Sequence, residues 1–247
     1  MNKMNKINKL LKIPQHEQRS DAWFKQRENK LTSSDAGTVL GINPYQKPHQ
    51  VLFKKCGHDF NPFVGNIATR HGQKYEDEAI FKYCKITGQV NYNFGLIEYE
   101  DVHNSKDYPW LAGSPDGIAI VEGDIHAEPI LLEVKCPYKR KIKMGEIPEY
   151  YVPQVQLNMF ICDVNVADFI EYLPPDTMNI VRVYKDTEWL SRNLKILDTF
   201  WKEVEYYRIN NIKDHPKFPK PKRILDLTTS ENDEEETLNL DAYSLRD

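Results

Sequence analysis

One run, Leu131-Leu132-Glu133-Val134-Lys135-Cys136-Pro137, constrains this chain more than any other. Side chains alternate faces along an extended strand, so Leu132, Val134 and Cys136 point one way and Glu133 and Lys135 the other. Upstream, Gly113-Ser114-Pro115-Asp116-Gly117 is turn chemistry, because Pro fixes φ and Gly permits positive φ. Asp116 therefore stands at a bend just before the apolar run Ile118-Ala119-Ile120-Val121. A hairpin between the two runs sets Asp116 beside Glu133. Two carboxylates and a lysine at one point suit Mg²⁺, a hard cation that prefers oxygen ligands and is held by one or two carboxylates plus substrate phosphates. The lysine could orient or deprotonate an attacking water, or stabilise charge building on phosphorus. An exposed strand face carrying an ordinary Glu/Lys pair has the same spacing, so alternation alone leaves both readings open.

Other blocks surround this pair. Ser20 reads as the N-cap of a helix over 21–28, and Trp23 and Arg27, four residues apart, share its face. Arg27 is then either a cation packed over the indole or an anion ligand. Thr32, Ser33 and Ser34 precede a short helical run closed by Gly41, an arrangement that serves as an anion site or an ordinary cap. The 68–83 stretch recurs at helical spacing and ends at Gly88; Glu76 lies one turn after Gly72, whose missing side chain leaves room beside the carboxylate, although a solvated acidic face reads the same way. Residues 90–99 alternate as a strand, 166–173 and 179–184 read as two more, and 187–209 is a long helix with Leu190, Leu194, Leu197, Trp201, Val204 and Tyr207 on one stripe. In the helix over 149–162, Gln154 and Gln156 cannot share a face.

Taken in order, these blocks resemble the lambda-exonuclease or YqaJ-type viral recombinase branch of the PD-(D/E)XK nucleases. The resemblance rests on Trp23, Arg27, Thr32-Ser33-Ser34-Asp35-Ala36, Gly72-Gln73-Lys74-Tyr75-Glu76, Ser114-Pro115-Asp116-Gly117, Leu132-Glu133-Val134-Lys135-Cys136-Pro137 and Val152-Pro153-Gln154-Val155-Gln156. It implies an α/β, restriction-endonuclease-like fold with a mixed central sheet flanked by helices. It implies a Mg²⁺-dependent 5′-to-3′ exonuclease on duplex DNA ends, with Mn²⁺ as a substitute, working in viral or phage-type recombination, repair or replication. Asp116, Glu133, Lys135 and Gln154 become the catalytic set, and Glu76, Asp116, Glu133 and the Val134 carbonyl the metal ligands. Arg27, Ser34 and Ser114 become a pocket for the 5′ phosphate. Family members also suggest a ring-shaped homo-oligomer and a single-strand annealing partner. Lys139 and Arg140, with Lys141 and Lys143, form a basic loop directly after the catalytic strand, placed to meet the DNA backbone.

A net charge of −4 argues against a DNA partner until its distribution is considered. The stretch 226–247 carries −7, which leaves +3 on residues 1–225, so the acidity belongs to the tail and not to the body. With 40% hydrophobic residues and no apolar run long enough to span a bilayer, the chain reads as soluble, globular and not membrane-bound. Met1 to Lys12 lacks a secretory pattern, which points to an intracellular protein. The four cysteines form no Cys-x₂-Cys pair, so neither a zinc clip nor an iron–sulfur clip is suggested. The expected organisation is a loose segment over 1–19, a nuclease domain over 20–215, and a Pro-containing, acidic, disordered tail over 216–247. Competing readings are a structure-specific endonuclease, a DNA-binding or annealing factor that does not cut, and an inhibitor using the tail as a DNA mimic.

Overall fold

The computed structural model describes residues 3–219 except 61, 63, 64 and 125. The chain divides into a compact unit ending at Ile212 and a second unit beginning at Lys213. From 220 onward, the tail expectation lies outside the described residues.

In chain order the strands are β1 (Leu31–Thr32), β2 (Val90–Tyr92), β3 (Ile97–Glu98), β4 (Leu111–Gly113), β5 (Gly117–Ile120), β6 (Ile130–Lys135), β7 (Val166–Leu173) and β8 (Thr177–Tyr184). The helices are α1 (Lys3–Leu11), α2 (Asp21–Glu28), α3 (Ala36–Val39), α4 (Pro48–Lys55), α5 (Ile67–Thr87), α6 (Tyr99–His103), α7 (Val152–Ile161) and α8 (Thr187–Ile209). A five-stranded sheet runs β2-β5-β6-β7-β8, and a smaller one runs β1-β4-β3. The larger sheet is antiparallel except between β6 and β7. A parallel pair needs a long crossover, and α7 lies in the one between β6 and β7.

The alternation expected for β6 is realised. Leu132, Val134 and Cys136 share a buried cluster with Ala79 and Tyr83 of α5. Glu133 faces the opposite side, where Asn158 of α7 meets it. The result is a mixed α/β fold with helices on both faces of the sheet, as the sequence indicated. Leu190, Leu194, Leu197, Trp201 and Val204 form the buried stripe of α8. Among the described residues, no helix is long and apolar enough to cross a membrane.

The segment over 1–19 was expected to be loose, with a short helix over 5–13 as the alternative; that helix forms as α1, which buries Ile7 and Leu10 completely or nearly so, and Lys6 pairs with Asp163 at 2.8 Å. Its few apolar residues are spaced to put a narrow stripe on the body, which the polar composition conceals. The expected single strand over 90–99 is broken, with β2 in one sheet and β3 in the other. The break falls at Asn93–Gly95, where the chain presses against the N-terminal segment: a Cβ on Gly95 would lie 2.3 Å from the His16 carbonyl oxygen.

Candidate active site

The β5–β6 hairpin creates the centre of the site. Gly117 pairs with Leu132, and Asp116 N–H donates to the Leu132 carbonyl at 3.2 Å. β5 begins at this pair, while β6 continues past it for three residues. The Val134 N–H, left without a strand partner, donates to Asp116 Oδ2 at 2.7 Å. In an extended strand the N–H and C=O of one residue face the same side, so the Val134 carbonyl also belongs to this edge.

Glu133 is 0% exposed. Its Oε1 accepts from the Lys135 ammonium, and its Oε2 accepts from Asn158 Nδ2 at 3.1 Å. Burial lifts Glu133 to about 7; Lys135 pulls it down and Asp116 pushes it further up. Burial also raises Asp116, opposed by Lys135, the Val134 N–H and Arg19. For Lys135 burial acts downward, but Glu133, Asp116 and Tyr151 outweigh it and hold the ammonium above its ordinary value. Lys135 also lies 5.3 Å from the centre of the Tyr151 ring. It is a charged donor in this arrangement, suited to orienting a group rather than taking a proton from it.

Glu76 reaches the same region from α5, and burial and then Asp116 raise its pKa while Arg19 opposes them. Its Oε2 is held by Arg19 Nη2 at 3.0 Å. The space beside it does not depend on Gly72, where an added Cβ would meet nothing within 4 Å. Each carboxylate thus has a counter-group: Lys135 and Asn158 for Glu133, the Val134 N–H for Asp116, Arg19 for Glu76. Among the described residues no three His, Cys, Asp or Glu side chains converge as a metal cluster. The donor types nevertheless fit a hard divalent cation: Asp116 and Glu133 stand at the strand end, Glu76 approaches from α5, all three have raised pKa values, and a cation would relieve the repulsion of Asp116 on the other two.

Of the two glutamines, Gln156 is structural: it donates to the Tyr184 carbonyl and accepts from Asp186 N–H. Gln154 makes no hydrogen bond to either carboxylate among the described residues. The α7 residue that touches Glu133 is Asn158, one turn further on and unremarked in the sequence. It is fully buried, its Oδ1 has no partner, and it packs so closely that a Cβ on Gly113 would lie 2.3 Å from that oxygen. The signal available beforehand was its i+4 spacing from Gln154.

A second cluster lies at the start of α2 and beside β1. Ser20 caps α2 by accepting from Trp23 N–H, and Arg27 stacks 4.2 Å from the Trp23 ring centre. Arg27 Nη2 donates to Ser34 Oγ at 2.9 Å and to Thr32 Oγ1 at 3.3 Å. The Trp23 indole N–H donates to Ser114 Oγ at 3.2 Å, two residues from Asp116. Of the two readings of Arg27, the geometry shows the cation stacked on the indole, with its guanidinium also bonded to the hydroxyls of Ser34 and Thr32. Asp35 is the acid nearby, but it accepts from Thr32 and pairs with the buried Lys55 at 3.1 Å. Burial would raise Asp35, yet Lys55, Arg27 and the Thr32 hydroxyl hold it below its ordinary value. The hydrogen-bond partners of the Arg27 side chain are hydroxyls, not a carboxylate.

The basic loop is only partly free. Lys139, Lys141 and Lys143 are exposed. Arg140 is tied to the buried Glu171, which also accepts from Asn179, and still lines the trough beside Lys139. Asn179 in turn accepts from Gly145 N–H and donates to the Lys143 and Glu146 carbonyls. Arg140 therefore anchors the loop that presents the lysines. An open trough of about 1100 Å³ runs past Glu76, Lys135, Tyr138, Lys139 and Tyr150.

The fold is shared with solved exonuclease structures. An alkaline exonuclease from Laribacter hongkongensis superposes with a TM-score of 0.64 at 23% identity, covering 77% of this chain and 95% of that one. A phage-related exonuclease from Haemophilus somnus gives 0.51 at 16% identity, covering 72% and 94%. Residues 22–165 match the YqaJ-like viral recombinase domain, and the chain belongs to that family. A protein of Acanthamoeba polyphaga mimivirus is 33% identical over 176 residues, 67% of this chain and 31% of that protein. A protein of African swine fever virus is 28% identical over 165 residues, 57% of this chain and 45% of that protein. The chain therefore spans less than half the length of these viral relatives.

Proposed function

We propose that this chain is a divalent-metal-dependent deoxyribonuclease that removes nucleotides from the 5′ end of duplex DNA during viral recombination or repair. The observation that carries the reading is the start of β5, where Asp116 takes the Val134 N–H while Glu133 and Lys135 sit on the adjoining strand face. A pure DNA binder has no use for three acids where phosphate must approach.

Asp116, Glu133 and the Val134 carbonyl would hold Mg²⁺ or Mn²⁺, with Glu76 as the outer ligand. Such an ion, when bound, neutralises the scissile phosphate and favours ionisation of water near it. Lys135, fixed over Tyr151, orients the attacking water and stabilises charge on the phosphate oxygens. Asn158 holds Glu133 in place, and Gln154, one helical turn before Asn158, is the further α7 residue assigned to water or the scissile phosphate. Arg27, Ser34 and Ser114 receive the terminal 5′ phosphate: Arg27 supplies a cation whose hydrogen bonds go to hydroxyls, Ser34 one of those hydroxyls, and Ser114 the hydroxyl bonded to the Trp23 indole. Lys139 tracks the DNA backbone. A ring-shaped homo-oligomer would keep the duplex enclosed, and sedimentation with and without DNA measures it; pull-down with a strand-annealing protein tests that partnership.

The test is digestion of linear duplex and covalently closed circular DNA in Mg²⁺ and in chelator. Metal-dependent loss of the linear DNA with the circle intact is expected. Nicking of the circle would move the assignment to an endonuclease, and no cleavage of either by folded protein would reject nuclease activity.

A further inference from the structure

Arg19 lies outside the matched segment 22–165, yet it reaches the acidic centre. It is carried there by a strap over residues 13–19 that is fastened on both sides. Gln15 donates to the Leu10 carbonyl at 2.9 Å and accepts from Gly95 N–H at 2.6 Å. Gln18 donates to the Phe94 carbonyl at 2.8 Å and to the Pro115 carbonyl, next to Asp116, at 3.4 Å. Arg19 itself has φ of 70°, a left-handed conformation that L residues hold only where the surroundings impose it. The following residue, Ser20, caps α2, so one corner both aims Arg19 at Glu76 and starts the helix bearing Trp23 and Arg27.

The Arg19–Glu76 pair stands between two spaces. Both residues line the large trough, and both line a second recess of about 590 Å³ that also includes Asp116. Arg19 spends a single hydrogen bond on Glu76, so the rest of its planar fork of donors is uncommitted, and its side chain is 46% exposed. A carboxylate held by one bond from an accessible guanidinium is an exchangeable partner. A divalent cation offers Glu76 more charge than Arg19 does, and a phosphate entering the trough offers Arg19 a better-shaped acceptor than one Glu76 oxygen.

We propose that Arg19 is the resident counter-ion of Glu76, displaced when the divalent cation binds and then a ligand of the substrate phosphate on the trough side. This rests on the nuclease reading above and adds to it an exchange of partners: metal and guanidinium compete for Glu76, whereas phosphate and metal cooperate. The N-terminal strap is then part of the active site, although it lies outside the family's matched span.

The test uses the full chain and R19G, because glycine accepts the left-handed backbone and removes only the side chain. Mn²⁺ affinity is measured by calorimetry without DNA, and affinity for a 5′-phosphorylated duplex is measured in Ca²⁺. Loss of a half-exposed ion pair should tighten Mn²⁺ binding by about two- to fivefold. Loss of a charge-assisted contact to phosphate should weaken DNA binding by roughly tenfold. A strap that had merely loosened would weaken both, so the opposite signs separate the proposed role from a structural one. Unchanged or weaker Mn²⁺ binding in R19G, with wild type binding Mn²⁺ and cutting DNA, overturns the role of Arg19 alone. Wild type that neither binds Mn²⁺ nor cuts overturns it together with the nuclease reading.

Discussion

The acidic centre and the Arg27 pocket lie only two residues apart along the chain, at Asp116 and Ser114, yet they are built on opposite electrostatic plans. In the acidic centre, burial raises Glu133, Asp116 and Glu76 together, and the available cations, Lys135 and Arg19, do not offset it. In the Arg27 pocket the local acid, Asp35, is already paired with Lys55, and Arg27 is left with hydroxyl partners. One region has a surplus of buried negative charge and the other a surplus of positive charge, two cations around the single acid Asp35. A cation and an anion brought in together relieve both, and a metal-bearing phosphate terminus is a ligand of that kind. The placement of Ser114 and Asp116 on one turn sets the spacing between the two.

The contrast is broken most severely by removing the acids or the lysine of the acidic centre. D116A, E133A or K135A should lower cleavage by roughly a thousandfold or more in single-turnover assays while circular dichroism stays native. Full activity in any of them would remove the acidic centre from the reaction. R27A should act on the other region alone, costing roughly ten- to a hundredfold on 5′-phosphorylated ends and little on 5′-hydroxyl ends. Equal losses on both ends would deny the pocket its phosphate.

A smaller effect is expected one step back from the chemistry. N158A removes the second partner of a buried carboxylate and should reduce turnover by about tenfold with little change in DNA affinity. A change confined to DNA affinity would argue that Asn158 faces substrate and not Glu133. The smallest effect is a pH slope in the metal-free protein. A carboxyl group whose native pKa is raised from 4.5 to about 7 binds more protons folded than unfolded across that window. Its contribution to stability is therefore intact below 4.5 and is lost as pH rises through about 7. Denaturant titrations should show that decline, and E133Q should flatten it; an unchanged slope in E133Q would assign the decline elsewhere.

Much of this was legible in the sequence, and the exceptions have physical causes. The β5–β6 hairpin, the split of Leu132, Val134 and Cys136 from Glu133 and Lys135, and the span of α8 follow from local periodicity and turn chemistry, which a linear sequence displays directly. The breaking of 90–99 into β2 and β3 depends on the close approach of His16 to Gly95, a contact between segments far apart in sequence. Asn158 escaped because its role is defined by Glu133 on another element, and the anchoring of Arg140 escaped because Glu171, its buried partner, lies 31 residues on. Arg19 was hidden for a different reason: its left-handed backbone aims it at Glu76, and nothing in its own side chain announces that conformation.

The most direct measurement follows product release from one linear 5′-phosphorylated duplex labelled separately at its 5′ and 3′ ends. It compares wild type and E133Q in Mg²⁺, with chelator as control. Wild type should release the 5′ label first, as mononucleotide and only with metal, and E133Q should release neither. Early release of the 3′ label, or release by wild type in chelator, would contradict the proposed function.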